Sequence, residues 1–342
     1  MSEHFIKNIE IRNFKCFEDF KAEGFGRVNL IGGKNNVGKT AFMEACYLSI
    51  PQYKTNNDDK IIDFFWKLTL FNINRDGINL KNRFRWKDDD ITEFIQIINH
   101  LNIKRMDLDE NEYYLNVESR RNRLSFKQFK RPSLLLEKPS KFYSTTELTD
   151  FLNFNIKNKN YSTGFISSSS SYSNSLLEEL ISCLKEEFKY EDLNDIIYDL
   201  FGFDKIDILR GIPKILKDNH FFPLKDFGQG IKSFIYIIAS ILIGKDEVIF
   251  IDEIENGIHY SILDELWKII LTISKQQNVQ VFATTHSKEC IESYARVVEE
   301  LNDKDITFIK LGKNRKDEIK AMIYPYEWFV DSIEQEEEVR GW

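Results

Sequence analysis

The sequence is poor in the residues that staple or interrupt a chain. Its 342 residues hold four cysteines, Cys16, Cys46, Cys183 and Cys290, and no two form a C-x-x-C pair. That spacing argues against a disulfide framework or a thiolate zinc site and fits a reducing compartment. Only 6 prolines occur, which excludes collagen-like, mucin-like and proline-rich linker classes. No apolar run reaches the ~18 residues needed to cross a bilayer. The longest, Phe234 to Ile243, is too short. The opening MSEHFIKNIEIRNFK carries charges where a signal peptide needs an apolar core. Internal repeats and sustained heptads are missing too. Positive charge is in deficit, with 47 Lys and Arg against 55 Asp and Glu, a net charge of −8. A histone-like nucleic-acid coat is therefore excluded, and any DNA contact needs a local basic patch. These absences together point to a cytoplasmic protein without a membrane partner.

What is present can build a large core. Hydrophobic residues make up 42% and charged residues 30%. At ~150 residues per domain the length fits two units, or one α/β domain carrying an insertion. Residues 4–31 read as strands, with Val28–Ile31 ended by Gly32-Gly33, and Lys39–Leu48 has helical spacing. Residues 51–160, rich in Asn, Lys, Asp and aromatics, read as an inserted α+β section. It has a helix over Asp90–Leu101 and strands over Tyr113–Val117 and Leu124–Phe129. Ser167–Ser171 reads as a polar loop at a strand end. Residues 175–201 and 231–243 are helical, and so are Ser261–Ser274 and Lys288–Glu300. Glu247–Ile251 and Val279–Thr284 are buried strands. Ile306–Leu311 and Glu318–Tyr324 form a closing hairpin before an acidic tail with Glu334 and Glu336–Glu338.

Four short segments carry chemistry. Gly33-Lys34-Asn35-Asn36-Val37-Gly38-Lys39-Thr40 matches G-x-x-x-x-G-K-[ST], between an apolar strand and a helix. Glycines there let backbone N–H groups curl round a phosphate, and the helix N-terminus adds to the anion's attraction. Lys39 is expected on the β- and γ-phosphates and Thr40 on Mg²⁺. Nucleotide contacts are expected from Gly33, Asn35, Asn36, Val37, Gly38, Lys39, Thr40 and Ala41. Next, Val248–Ile251 runs into Asp252-Glu253. Asp252 at a strand tip suits the metal, and Glu253 suits the activation of water. Third, Val281–Thr284 leads into Thr285-His286-Ser287. If this strand lies parallel beside the Asp252 strand, His286 faces the γ-phosphate at the carboxyl ends. Last, Phe227-Gly228-Gln229-Gly230-Ile231-Lys232-Ser233 sits one step before a helix, where Gly228 and Gly230 can approach an anion.

Taken in order, these segments resemble the ABC-type ATPase head shared by SMC, RecF-like and OLD-family ATPases. The opening Ile11-Arg12-Asn13-Phe14-Lys15-Cys16-Phe17 belongs to the same pattern, and the likeness runs from residue 5 to about 325. Within that group the chain looks most like the OLD/AAA-type ATPases of prokaryotic anti-phage systems such as Septu, PARIS, AbiL and the retron-associated ATPases. The likeness rests on Phe165–Ser169, Phe222–Gly230, Ile251–His259 and the Tyr324–Arg340 tail. It implies an α/β fold: an ABC-type P-loop ATPase head with a mixed sheet, split by an α+β insertion and lacking a long coiled coil. The expected division is 1–50, 51–160 and 161–342. The resemblance implies ATP and Mg²⁺ as ligands. It also places Phe227–Lys232 where ABC proteins carry their signature, against the γ-phosphate of a second copy. Gly230 and Lys232 fit that pattern, whereas Gly228 stands where its serine would be. Glu255–His259 takes the place of the D-loop, and Gln96 and Gln128 both remain open for the Q-loop.

The resemblance has limits. The 213 residues from Lys39 to Asp252 lack heptads, so a long-armed clamp is excluded, and some 56 residues after His286 leave no room for a Toprim nuclease. An ATP-sandwich homodimer regulating a separate effector, a nuclease or toxin, is the expected activity. A RecF-like DNA repair protein and a slow nucleotide-gated scaffold stand as alternatives. Arg120, Arg121, Arg123, Lys127, Lys130 and Arg131 cluster with Phe126 and Phe129 and no acid between them. They suit a phosphate backbone, an acidic partner or a solvated hairpin face.

Overall fold

The computed structural model describes residues 6–14, 16–49, 114–119, 123–127, 164–166, 174–245 and 247–335. Asp90–Leu101, Ser167–Ser171, Glu336–Glu338, Gln96, Gln128, Arg120, Arg121, Lys130 and Arg131 lie outside them.

Continuous apolar runs make the central sheet. β3 (Val28–Gly32), β10 (Val248–Ile251) and β11 (Gln280–Thr284) are buried at every position. A strand covered on both faces reads as an unbroken apolar run instead of an alternating one. β3 lies between β11 and β12 (Ile306–Lys313), parallel to both. β10 follows β11 and β6 (Phe165–Ile166) follows β10, again in parallel. β13 (Ile319–Pro325) closes the other edge antiparallel to β12, so the six-stranded sheet is mixed.

Successive side chains leave the sheet on opposite faces and feed two cores. Val28, Leu30, Ile249, Ile251, Val281, Ala283 and Phe308 enter the larger core, under the helices of residues 174–334. Ile31, Val248, Phe250, Phe282, Ile309 and Leu311 enter the other, with α1 (Lys39–Ser49). There Phe250 and Phe282 stack at 5.5 Å on neighbouring strands, and Phe25 sits edge-on to both Phe282 and Phe42 of α1. The helix that follows the Gly-rich loop is thus seated on an aromatic floor. Arg27, just before β3, is buried, with its guanidinium bonded to the Leu271 carbonyl, the Ser274 hydroxyl and the Asp303 carboxylate. A buried charge so paired fixes the base of the central strand.

A second, four-stranded sheet has the order β2-β1-β4-β5. β1 (Ile6–Phe14) pairs antiparallel with β2 (Phe17–Glu23) on one side and with β4 (Tyr114–Ser119) on the other, and β5 (Arg123–Lys127) completes it. The backbone of Arg123 and Lys127, two members of the basic stretch, therefore lies in the outermost strand of this sheet among the described residues.

Three local differences from the sequence reading stand out. Residues 175–201 are two helices, α2 (Asn174–Glu186) and α3 (Tyr190–Phe201). Phe188 adopts a left-handed φ of 58° between them, while its N–H donates to Lys185 O and that of Lys189 to Leu184 O. This is the bonding of a Schellman stop, with phenylalanine where glycine usually sits. Residues 205–223, assigned no strands, form a three-stranded antiparallel sheet of β7 (Lys205–Leu209), β8 (Ile212–Lys217) and β9 (His220–Pro223). Its two-residue turns, Arg210-Gly211 and Asp218-Asn219, have positive φ throughout, as tight hairpins require. Finally, Gly228, Gln229 and Gly230 are not a loop one step before the helix. After a 3₁₀ turn (Leu224–Phe227) they are the first turn of α4 (Gly228–Ile243).

The remaining helices are α5 (Leu263–Gln277), α6 (Lys288–Glu300) and α7 (Tyr326–Glu334). Among the described residues no helix is long and apolar enough to cross a membrane.

Candidate functional site

Three parallel strands end at one edge of the sheet, and their tips bring the sequence motifs together. β3 runs into the Gly33–Gly38 loop, which turns through Asn36 (φ 63°) into α1. Lys34, Asn35 and Asn36 are exposed, Val37 is buried beneath them, and Ala41 is partly buried in α1. Gly33 has φ 147°, and a Cβ there would lie 2.5 Å from Leu311 O. Backbone geometry and crowding by β12 both call for glycine at this position.

Lys39 curls back over the loop, its ammonium donating to the carbonyls of Gly33 (2.8 Å) and Lys34 (3.0 Å). Burial pushes its pKa down, and the charges of Glu255, Asp252 and Glu253 oppose that fall. The ammonium therefore faces three carboxylates across the site, and the nearby negative charge favours its protonated form.

Thr40 and Asp252 meet, with the Thr40 hydroxyl 3.3 and 3.4 Å from the two carboxylate oxygens. Thr284, at the tip of β11, donates to Asp252 Oδ1 at 2.7 Å and accepts the Glu253 N–H at 2.8 Å. One hydroxyl thus ties both acidic residues of the β10 tip to the neighbouring strand. Sequence reasoning passed over this residue, although its position at the end of an apolar run was visible.

Glu253 has φ 51°, left-handed and uncommon for a residue with a side chain. The Glu253 side chain is 41% exposed, so its carboxylate is within reach of water. His286 Nδ1 lies 3.9 Å from Glu253 Oε1 and 3.8 Å from Glu255 Oε1. The His286 backbone is held on both sides. Thr285 N–H donates to Ile31 O on β3, and Ser287 caps α6 by accepting the Cys290 N–H. Lys39, Thr40, Asp252, Glu253 and His286 therefore share one site.

A hard cation suits the oxygen pair of Thr40 and Asp252. Among the described residues no group of three or more His, Cys, Asp and Glu is arranged for a metal. A metal here would complete its shell from phosphate and water, as Mg²⁺ commonly does.

Gly230 makes a different contact, while a Cβ on Gly228 would meet nothing within 4 Å. A Cβ on Gly230 would lie 2.1 Å from Gly257 O, so the first turn of α4 touches the segment after Glu253. Gly257 itself has φ 76°. Gly230→Ala is expected to force these backbones apart and lower stability by about 1–3 kcal/mol. Thermal unfolding checks this, and an unchanged midpoint would show that the contact yields freely.

The family described as "AAA domain, putative AbiEii toxin, Type IV TA system" matches residues 28–292. An ATP/GTP phosphatase of Helicobacter pylori is 26% identical over 352 residues, covering 86% of this chain and 89% of that protein. A DNA replication and repair protein RecF of Bacillus cytotoxicus is 37% identical over 60 residues, 17% of this chain and 16% of that protein. Of solved structures, an Smc head bound to the C-winged helix domain of ScpA matches with a TM-score of 0.49 at 12% identity. It covers 94% of this chain and 99% of that one.

Proposed function

Since the chain belongs to that AAA-domain family of ATPases, we propose that it binds and hydrolyses ATP with Mg²⁺ and uses the cycle to switch a separate effector. The observation that carries this reading is the meeting of Thr40 with Asp252, with Glu253 turned out beside His286.

The steps follow from the residues. Lys39 and the N–H groups of the Gly33–Thr40 loop bind the phosphates, and Lys39 exchanges its two carbonyls for phosphate oxygens. Thr40 and Asp252 would hold Mg²⁺, which would supply charge neutralisation to the phosphates. Glu253 takes a proton from water as its oxygen attacks the γ-phosphorus and the bond to the β-phosphate oxygen breaks, giving ADP and phosphate. His286 hydrogen-bonds the γ-phosphate and orients it.

Gly228, Gly230 and Lys232 at the start of α4 meet the γ-phosphate of a second copy, so that two chains enclose two nucleotides. A toxin–antitoxin family and a phosphatase relative both suit a nucleotide-gated regulator in phage defence. On this reading the effector is a separate nuclease or toxin, and the positive charge of the Arg120–Arg131 stretch suits DNA or an acidic partner. The setting is cytoplasmic.

The purified chain is expected to release phosphate from ATP in the presence of Mg²⁺ and to stop when the metal is chelated. Failure to release phosphate at any Mg²⁺ concentration, in a sample shown to be folded, would sink the reading.

A further inference from the structure

Glu255 is bound into the site more firmly than a residue of a connecting turn needs to be. Its side chain is only 14% exposed. Oε1 accepts the backbone N–H of His286 at 3.1 Å and lies 3.8 Å from the same residue's Nδ1. Oε2 is buried and meets no hydrogen-bond donor among the described residues. A buried carboxylate oxygen without a donor is unfavourable, so packing alone does not account for an acid here. Of the three carboxylates facing Lys39, Glu255 acts on it most strongly. Cys290, three residues past the Ser287 cap, feels the same charge.

We propose that Glu255 is a positioning residue for hydrolysis, holding the His286 backbone and imidazole in register with Glu253. The segment after β10 and the segment after β11 have no sheet pairing between them beyond the strand ends, although Ile254 N–H still donates to Thr284 O. Past that point, among the described residues, the Glu255 carboxylate joins the two segments by accepting the His286 N–H. Through Oε1 it fixes His286, and through the turn Glu253–Asn256 (Asn256 N–H to Glu253 O, 2.8 Å) it fixes the residue that activates water. Catalysis depends steeply on such placement, since a displacement of about 1 Å can lower a rate about 100-fold.

This inference rests on the ATPase reading, and its test separates the two. Glu255→Ala is expected to lower kcat about 10- to 100-fold, with KM and the affinity for a fluorescent ATP analogue within about 3-fold of wild type. Glu255→Gln, whose amide oxygen can still accept the His286 N–H, is expected to restore most of kcat. In nucleotide-free protein the His286 imidazole resonance should shift or broaden in Glu255→Ala and stay near its wild-type position in Glu255→Gln. Against a His286→Ala background, Glu255→Ala should add little, because both act through one group. An inactive wild type would remove the ATPase reading itself. An active wild type with full kcat in Glu255→Ala, an unmoved imidazole signal, or additive losses in the double variant would overturn the role of Glu255 alone. If Glu255→Ala does not fold, Glu255→Met, similar in size but without an acceptor oxygen for the His286 N–H, takes its place: a loss of kcat with a shifted imidazole signal supports the role, and full kcat overturns it.

Discussion

Glu253→Gln is expected to lower ATP hydrolysis about 10²- to 10⁴-fold while leaving nucleotide binding intact. Asp252 and Glu253 are adjacent, yet the structure assigns them opposite surroundings. The Asp252 carboxylate is bonded inward to Thr40 and Thr284, whereas that of Glu253 is open to water. Glutamine keeps the size and the backbone bond to Thr284 but cannot accept a proton. The loss corresponds to about 3–5 kcal/mol of transition-state stabilisation. Single-turnover phosphate release, paired with equilibrium binding of an ATP analogue, measures both halves of the expectation. Hydrolysis at the wild-type rate in Glu253→Gln would mean that another group takes the proton.

Lys39→Ala is expected to abolish stabilisation by nucleotide. In the wild type, MgATP at 100 times its Kd should stabilise the fold by about 2.7 kcal/mol. The variant should melt near the wild-type temperature without ligand, because the bonds it loses are two contacts to loop carbonyls at a partly exposed position. With MgATP its melting point should not move. Equal ligand-induced shifts in the two proteins would show that the loop backbone binds phosphate unaided.

These expectations were legible in the sequence to different degrees. The P-loop, the Asp252-Glu253 pair and His286 could be seen because each follows a short apolar run, and β3, β10 and β11 are buried at every position. Their parallel adjacency was foreseeable for the same reason, since fully buried strands need neighbours and helices on both faces. What could not be seen depends on contacts across the fold. Thr284 matters because its hydroxyl meets Asp252, 32 residues away. Glu255 meets the N–H of His286, 31 residues away. The break at Phe188 escaped notice because no glycine or proline marks it. The β7–β9 sheet escaped because its turns use Arg-Gly and Asp-Asn in place of the usual Asn-Gly.

The position of β3 has a consequence for how the molecule is made. Both of its neighbours, β11 and β12, come from late in the chain, and the Asn29 side chain bonds to Val281 O, 252 residues away. As the chain leaves the ribosome, the strand that carries the phosphate loop emerges well ahead of β11 and β12, with Asn29 made 252 residues before its partner Val281. Pairings of such long range are slow to close and leave apolar edges exposed meanwhile. The nucleotide pocket is therefore among the last parts to form. ATP captured on a nascent chain would report that the sheet has closed, and an early-stalled chain would carry the whole P-loop motif with no pocket around it.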